Sequence, residues 1–153
     1  MDYKLVAYQE KYFKKLYEIK KDNFKWYVEK IYGWDEEKQI EFQKKFIEEH
    51  SKNIQVIKVK DEVIGMISSY IDENNENIVE LIYIDKKYQG KGIGTNLLKE
   101  QLKRDKENKR NTILQVFKEN SAKHLYEKLG FKTYEETDTH YKMRKKYEID
   151  EVI

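Results

Sequence analysis

The chain has 153 residues, with 31 Lys+Arg against 29 Asp+Glu and a formal net charge of +2, a length that suits one domain spanning 1–153. Zero Cys excludes disulfides, thiolate metal sites and a Cys nucleophile, three scattered His (50, 124, 140) leave little for a metal, and the near-neutral charge balance excludes a polybasic nucleic-acid binder. No apolar run approaches the ~18–20 residues of a membrane span and residues 1–15 lack a signal-peptide core, so the expected location is the cytoplasm, with no membrane partner.

Lys4–Tyr8 reads as a short strand. Over Gln9–Asp22, Tyr12, Phe13, Leu16, Tyr17 and Ile19 recur at mostly three- and four-residue spacings, the pattern of an amphipathic helix. An aromatic-rich stretch from Phe24 to Trp34 follows, interrupted by Gly33. Asp35 then reads as an N-cap, with Glu36 and Glu37 in a first turn where the dipole favours anions. That helix is expected to run to about Glu49 and to bury Ile40, Phe42, Phe46 and Ile47. Ile54–Lys60 and Val63–Tyr70 around Asp61–Glu62 predict a hairpin, and the nearly unbroken apolar run Ile78–Ile84 predicts a strand covered on both faces. After a Gly-rich turn at 89–94 comes a helix to about Glu107 with Ile93, Leu97, Leu98 and Leu102 inward. A strand at Thr112–Phe117, a helix at Ser121–Leu129 capped by Gly130, and strands near Lys132–Glu136 and Thr139–Tyr147 complete an α+β domain around one mixed sheet.

The turn after the apolar strand carries the chemistry. Gly90, Gly92 and Gly94 let the backbone curl with positive φ and aim N–H groups into one concavity at a helix N-terminus, a cradle suited to a pyrophosphate. The Walker pattern GxxxxGK[ST] is absent, and the dinucleotide pattern GxGxxG needs a different third spacing. Gln89-x-x-Gly92-x-Gly94 resembles the [QR]xxGx[GA] signature of the GNAT N-acetyltransferases. Asn120-Ser-Ala-Lys-His-Leu-Tyr-Glu-Lys-Leu-Gly-Phe131 resembles a second block of the same family, with room for one helix and one strand between the two. Tyr27-Val28, Gly33-Trp34-Asp35 and Glu135 to Met143 are similar to a bacterial subgroup of it. Two positions depart from relatives: Ser121 stands where many have Pro, and Gln115 where some ribosomal-protein acetyltransferases of this fold have a Glu base.

The resemblance implies a mixed, mostly antiparallel central sheet flanked by helices, splayed between the fourth and fifth strands. The pantetheine arm of acetyl-CoA would insert there like a missing strand. Backbone groups of Ile82 and Ile84 would bond that arm, and an N–H near Ile82 or Tyr83 would face the oxyanion of the attacked thioester. Gln89, Gly90, Lys91, Gly92, Ile93, Gly94 and Thr95 would donate to the diphosphate, chiefly from the main chain. Basic residues of the following helix, Lys99, Lys103 and Arg104 among them, would greet the 3′-phosphate or form a solvated face. Tyr126 would protonate the departing thiolate, or pack as a core tyrosine; Asn120 would bond the pantetheine or serve as a plain N-cap. Glu80, a carboxylate in an apolar strand, is a candidate base if burial raises its pKa, unless its side chain reaches a solvent edge. His140 and Tyr141 are further candidates or packing groups on the acceptor side.

Tyr27, Tyr32 and Trp34 would cage an ammonium group or pack in the core, and the acidic second helix would steer a cationic amine or form a solvated face. The activity implied is acetyl transfer from acetyl-CoA to a primary amine by direct attack in a ternary complex, without a metal. The acceptor is a small amine or a protein N-terminus or Lys, and the compact chain leans toward the small amine. A catalytically silent CoA-binding module is the reading from another class. Proteins of the family are often homodimers, and no segment here declares an interface.

Overall fold

The computed structural model describes residues 1–148, so residues 149–153 of the expected domain lie outside the described residues. Among the described residues, seven strands form one sheet in the order β1-β2-β3-β4-β5-β7-β6, with four α-helices. Two compact units divide the chain: Met1–Ser68 with Leu81–Ile93, and Ser69–Glu80 with the described residues from Gly94 onward.

In the first unit, β1 (Lys4–Ala7) pairs antiparallel with β2 (Ile54–Val59), and β2 with β3 (Glu62–Ile71), in the expected hairpin. Lys60 turns the chain at φ 55°, and a bulge falls between Ile57 and Lys58. A short 3-10 turn at Glu10–Tyr12 leads into α1 (Phe13–Tyr32), 20 residues long. The aromatic stretch is therefore the second half of one helix, which Gly33 ends at φ 78°. Its inward stripe of Leu16 and Ile19, with Tyr12 before it, joins Ile54, Val56, Val63, Met66 and Tyr83 in one apolar cluster. Each fully buried aliphatic there contributes ~1.5–3 kcal/mol over its exposed state.

Helix α2 (Glu36–His50) starts at Asp35, whose Oδ1 accepts from the Lys38 N–H at 3.2 Å, as the cap pattern predicts. Of its expected buried stripe, Ile40, Phe46 and Ile47 are half-buried and Phe42 needs a correction. Phe42 is 57% exposed and its neighbour Gln43 is buried, donating from Nε2 to the Phe13 carbonyl at 3.1 Å. At 100° per residue the inward line through Gln39, Gln43, Phe46 and Ile47 leaves Phe42 on the outside.

The second unit holds β5 (Thr112–Phe117), β6 (Lys132–Glu136), β7 (His140–Lys145), α4 (Ala122–Lys128) and all of α3 (Ile93–Glu107) beyond its first residue. Strand β7 pairs antiparallel with both β5 and β6. β4 (Asn77–Ile84) and β5 form the parallel pair, registered at Asn77↔Thr112 and Ile78↔Ile113, a ladder of two rungs that fits the expected splay. A buried polar clamp fixes its first rung. Asp105 Oδ2 accepts from Asn77 Nδ2 at 2.8 Å and from the Thr112 hydroxyl at 2.6 Å, and Asn77 Nδ2 also reaches Gln101 at 3.0 Å. Gln101 and Asp105 thus take buried positions on α3 beside Leu97 and Leu98, whereas Leu102, expected inward, is half-buried. The polar partners on the sheet explain that exchange. β4 differs from a strand covered on both faces: Glu80, Leu81 and Ile82 are only half-buried.

Candidate functional site

The Gly-rich turn is held at its root and open at its tip. Strand β4 ends at Ile84, and the Asp85 N–H donates to the Ile64 carbonyl at 2.7 Å. Asp85 Oδ1 then accepts from the Lys87 N–H at 3.2 Å, starting a short 3-10 turn at Lys86–Tyr88. Glu62 of β3 grips that turn twice, through Lys87 Nζ at 2.6 Å and the Tyr88 hydroxyl at 2.6 Å. The Lys87 bond holds the Glu62 carboxyl below its usual range, and the same contact raises Lys87.

Gln89 turns its side chain back into the protein. Its Nε2 donates to the Ile84 carbonyl and to Asn23 Oδ1, both at 2.8 Å, and its N–H donates to the Lys86 carbonyl at 3.2 Å. Gly90 and Gly92 adopt φ 75° and 83°, and a Cβ built on either meets nothing within 4 Å. The glycines therefore serve conformation rather than clearance, and they leave the concave backbone open. Ile93 follows, 2% exposed, as the anchor of α3, whose first-turn N–H groups lack partners within the helix. Lys91 is exposed, while Gly94 and Thr95 are half-buried.

Along the end of β4, Tyr83 is buried and its hydroxyl donates to the Leu16 carbonyl at 3.2 Å; burial raises its pKa. Ile82 lies half-buried and, by strand alternation, on the opposite face from Tyr83. On α1, Tyr27 packs edge-on against Trp26, 5.1 Å between ring centroids. Trp34 folds back on its own segment, donating from Nε1 to Glu36 at 2.7 Å. That bond, with Lys21 at 3.0 Å, lowers the Glu36 pKa. Tyr32 is 70% exposed. An open cavity of about 870 Å³ runs along α1 past Glu18, Asp22, Trp26 and Lys30.

In the second unit, Tyr126 is buried on the inward side of α4, edge-on to Phe131 at 6.0 Å. Burial pushes its hydroxyl up to about 12, so it carries its proton throughout the neutral range. Asn120 Oδ1 accepts from the Ala122 N–H at 2.9 Å, the capping geometry. His140 stacks on Phe117 at 4.2 Å and shares a 2.7 Å bond from Nδ1 with the Thr139 hydroxyl; burial lowers its pKa. Tyr141 has Lys123 Nζ 4.1 Å and Lys118 Nζ 5.6 Å from its ring centroid, and Lys118 also pairs with Glu136 at 2.7 Å. Glu80 is half-buried, and Gln115 is exposed.

Gly90, Gly92, Gln89 and Ile84 thus form one local assembly in the first unit. Asn23, which sequence reasoning missed, completes it. The α1 cavity was missed as well. Neither leaves a local signal, because Asn23 lies 66 residues from Gln89 and reads as one polar residue on a helix.

A GNAT acetyltransferase domain model matches residues 29–144. No curated protein matches the chain. Among solved structures, PH1933 from Pyrococcus horikoshii OT3 aligns at 24% identity with a TM-score of 0.76, covering 97% of this chain and 100% of that one. The PaiA N-acetyltransferase from Thermoplasma acidophilum, solved in complex with coenzyme A, aligns at 22% identity and TM-score 0.76 over 96% of this chain and 100% of its own. The ribosomal-protein-S18-alanine N-acetyltransferase from Escherichia coli follows at 16% identity and TM-score 0.69, covering 98% and 97%. A parallel β4–β5 pair of two rungs, a positive-φ glycine turn opening α3 and a family model spanning most of the sequence have one reading: the chain belongs to the GNAT acetyltransferase family.

Proposed function

We propose that the protein transfers the acetyl group of acetyl-CoA to a primary amine by direct attack in a ternary complex, with a small amine as acceptor. The observation that carries this reading is the turn at Gly90–Gly92. Two left-handed residues with open space beside them leave backbone N–H groups free to close on an anion, at the start of a 15-residue helix. The residues therefore fit a diphosphate. Gly90, Lys91, Gly92, Ile93, Gly94 and Thr95 would supply main-chain donors, while Gln89, whose N–H and side-chain amide are already engaged, would shape the turn.

Backbone groups of Ile82, Tyr83 and Ile84 would line the pantetheine arm and the thioester carbonyl. Tyr126, which burial keeps protonated, would give its proton to the leaving thiolate. Asn120 keeps its amide Nδ2 for the arm while Oδ1 caps the chain. Glu80 is the candidate for removing the amine proton, directly or through a water, with His140 and Tyr141 orienting the acceptor. Tyr27, edge-on to Trp26, and Trp34, held by Glu36, would offer aromatic surface toward the amine. The reaction would take place in the cytoplasm, and the protein would act as a homodimer.

The second reading, a protein N-terminus or Lys as acceptor, draws on the likeness to the ribosomal-protein-S18-alanine enzyme. Thiol release from acetyl-CoA, followed with a panel of polyamines, amino acids, aminoglycosides and N-terminal peptides, tests both. Turnover with small amines supports the first; turnover confined to peptides supports the second. Coenzyme A binding with no turnover on any acceptor leaves a silent binding module and overturns the proposal.

A further inference from the structure

A Cβ built at Gly90 or Gly92 meets nothing within 4 Å, so the tip of the turn is open there, and the contacts that hold the turn lie at its root. That root is a closed hydrogen-bond ring. The Ile84 carbonyl, last in β4, accepts from Gln89 Nε2 at 2.8 Å and from Asn23 Nδ2 at 3.1 Å. Gln89 Nε2 also donates to Asn23 Oδ1 at 2.8 Å, and Asn23 Nδ2 donates to the Ile19 carbonyl at 2.9 Å. Both amides thus have their donors engaged, and the oxygen of Asn23 is engaged as well. The ring ties three segments together: the end of β4, the residue before the first glycine, and the middle of α1. Beside it, Lys86 reaches Asp22 at 3.9 Å, so the turn meets α1 at two successive residues.

The geometry points to Asn23 as a positioning residue for the co-substrate cradle, acting through Gln89 and the Ile84 carbonyl rather than by touching the ligand. This inference rests on the reading of the turn as a diphosphate site. A glycine turn samples many conformations when its root is loose, and each one frozen on binding weakens affinity. The ring removes that freedom beforehand. It also joins the residue before the first glycine to the helix along which the open cavity runs.

The chemistry needs N–H donors facing the Ile84 carbonyl, which isosteric carboxylates cannot supply. Asn23→Asp and Gln89→Glu each place an acceptor against an acceptor. Each is expected to raise the Kd for coenzyme A, measured by titration calorimetry, by about tenfold, the loss of one or two net hydrogen bonds. The double variant is expected to bind about as weakly as either single one, because the ring opens once. Gln89→Arg restores donors at the same reach and is expected to return the Kd to within about threefold of wild type. Hydrogen exchange at the Tyr88 and Gln89 amides, which bond the Asp85 and Lys86 carbonyls, is expected to speed up in both carboxylate variants and not in Gln89→Arg. A purely structural role would lower thermal midpoints alike, without the rescue or the non-additivity.

Unchanged coenzyme A affinity and unchanged exchange in Asn23→Asp, with wild type binding normally, overturns this inference and leaves the diphosphate site standing. Additive losses in the double variant overturn it likewise. If Asn23→Asp does not fold, Gln89→Glu alone carries the test. A wild-type protein that binds no coenzyme A overturns the reading of the turn, and the role of Asn23 with it.

Discussion

Replacing Gly92 tests the cradle with a magnitude that follows from its backbone. Gly92 is exposed at φ 83°, and a Cβ there meets no atom within 4 Å. Steric overlap therefore contributes nothing, and the penalty of a side chain is conformational. A β-branched L-residue held left-handed costs ~1–2 kcal/mol, which is about five- to thirtyfold in an equilibrium constant. Because the tip of the turn is exposed and its root is separately tethered by Glu62, Asn23 and Gln89, Gly92→Val can relax to negative φ without disturbing the core. The loss should then fall on ligand binding. Calorimetry with coenzyme A is expected to show a Kd about five- to thirtyfold higher, while the urea midpoint moves by no more than ~0.5 kcal/mol equivalent. Gly92→Asn, which tolerates the left-handed region, is expected to stay within about threefold of wild type. Equal affinity of Gly92→Val and wild type, or an Asn variant as weak as the Val one, would refute the reasoning.

Three further outcomes follow from other parts of the molecule. A Cβ at Gly65 would overlap the Tyr83 carbonyl and approach the Ile84 Cα to 3.0 Å, so Gly65→Ala should destabilise folding by ~1–3 kcal/mol or more in urea titration; an unchanged midpoint would contradict the close approach of β3 and β4. Tyr126→Phe should lower kcat by ~100-fold with coenzyme A affinity unchanged, and wild-type kcat should show no alkaline loss from this hydroxyl until its pKa of about 12; an undiminished kcat would remove Tyr126 from the chemistry. Lys20 is half-buried on α1, and burial lowers its pKa below 10.5. Between that lowered value and 10.5 the unfolded chain binds more protons than the folded one, so stability rises with pH through that window. Lys20→Met should abolish the rise and stabilise the protein at pH 7 by on the order of 1 kcal/mol, read from melting curves across pH.

Much of the fold was legible because local pattern and packing agree. Asp35 caps α2, the alternation of Ile54–Val59 forms the hairpin with its turn one residue earlier than the expected Asp61–Glu62, and Thr112–Phe117 is a strand with the expected bounds. Periodicity failed where one residue decides which side faces in. Phe42 is more apolar than Gln43, yet helix phase places Gln43 against Phe13 and leaves Phe42 outside. The aromatic run after Asp22 hid the continuation of α1, because residues such as Trp26 and Tyr32 face solvent there and break the apolar stripe.

Gly94 lies inside α3 without the positive φ expected of it, but the turn at Gly90 and Gly92 was readable from spacing. Its root was not. Asn23, Glu62 and Gln89 meet only after folding, and a single Asn or Glu in sequence carries no sign of a partner dozens of residues away. The buried clamp of Asn77, Asp105 and Thr112 stayed hidden for the same reason: a lone Asp on a charged helix reads as solvated until the strand behind it is known.

The most direct measurement compares coenzyme A with pantetheine, which keeps the thiol arm and lacks the diphosphate, by titration calorimetry on the wild-type protein. Coenzyme A is expected to bind at least about a hundredfold more tightly, because the main-chain donors at Gly90–Thr95 meet charged phosphate oxygens only in that ligand. Equal affinities, or no heat with either, would contradict the account.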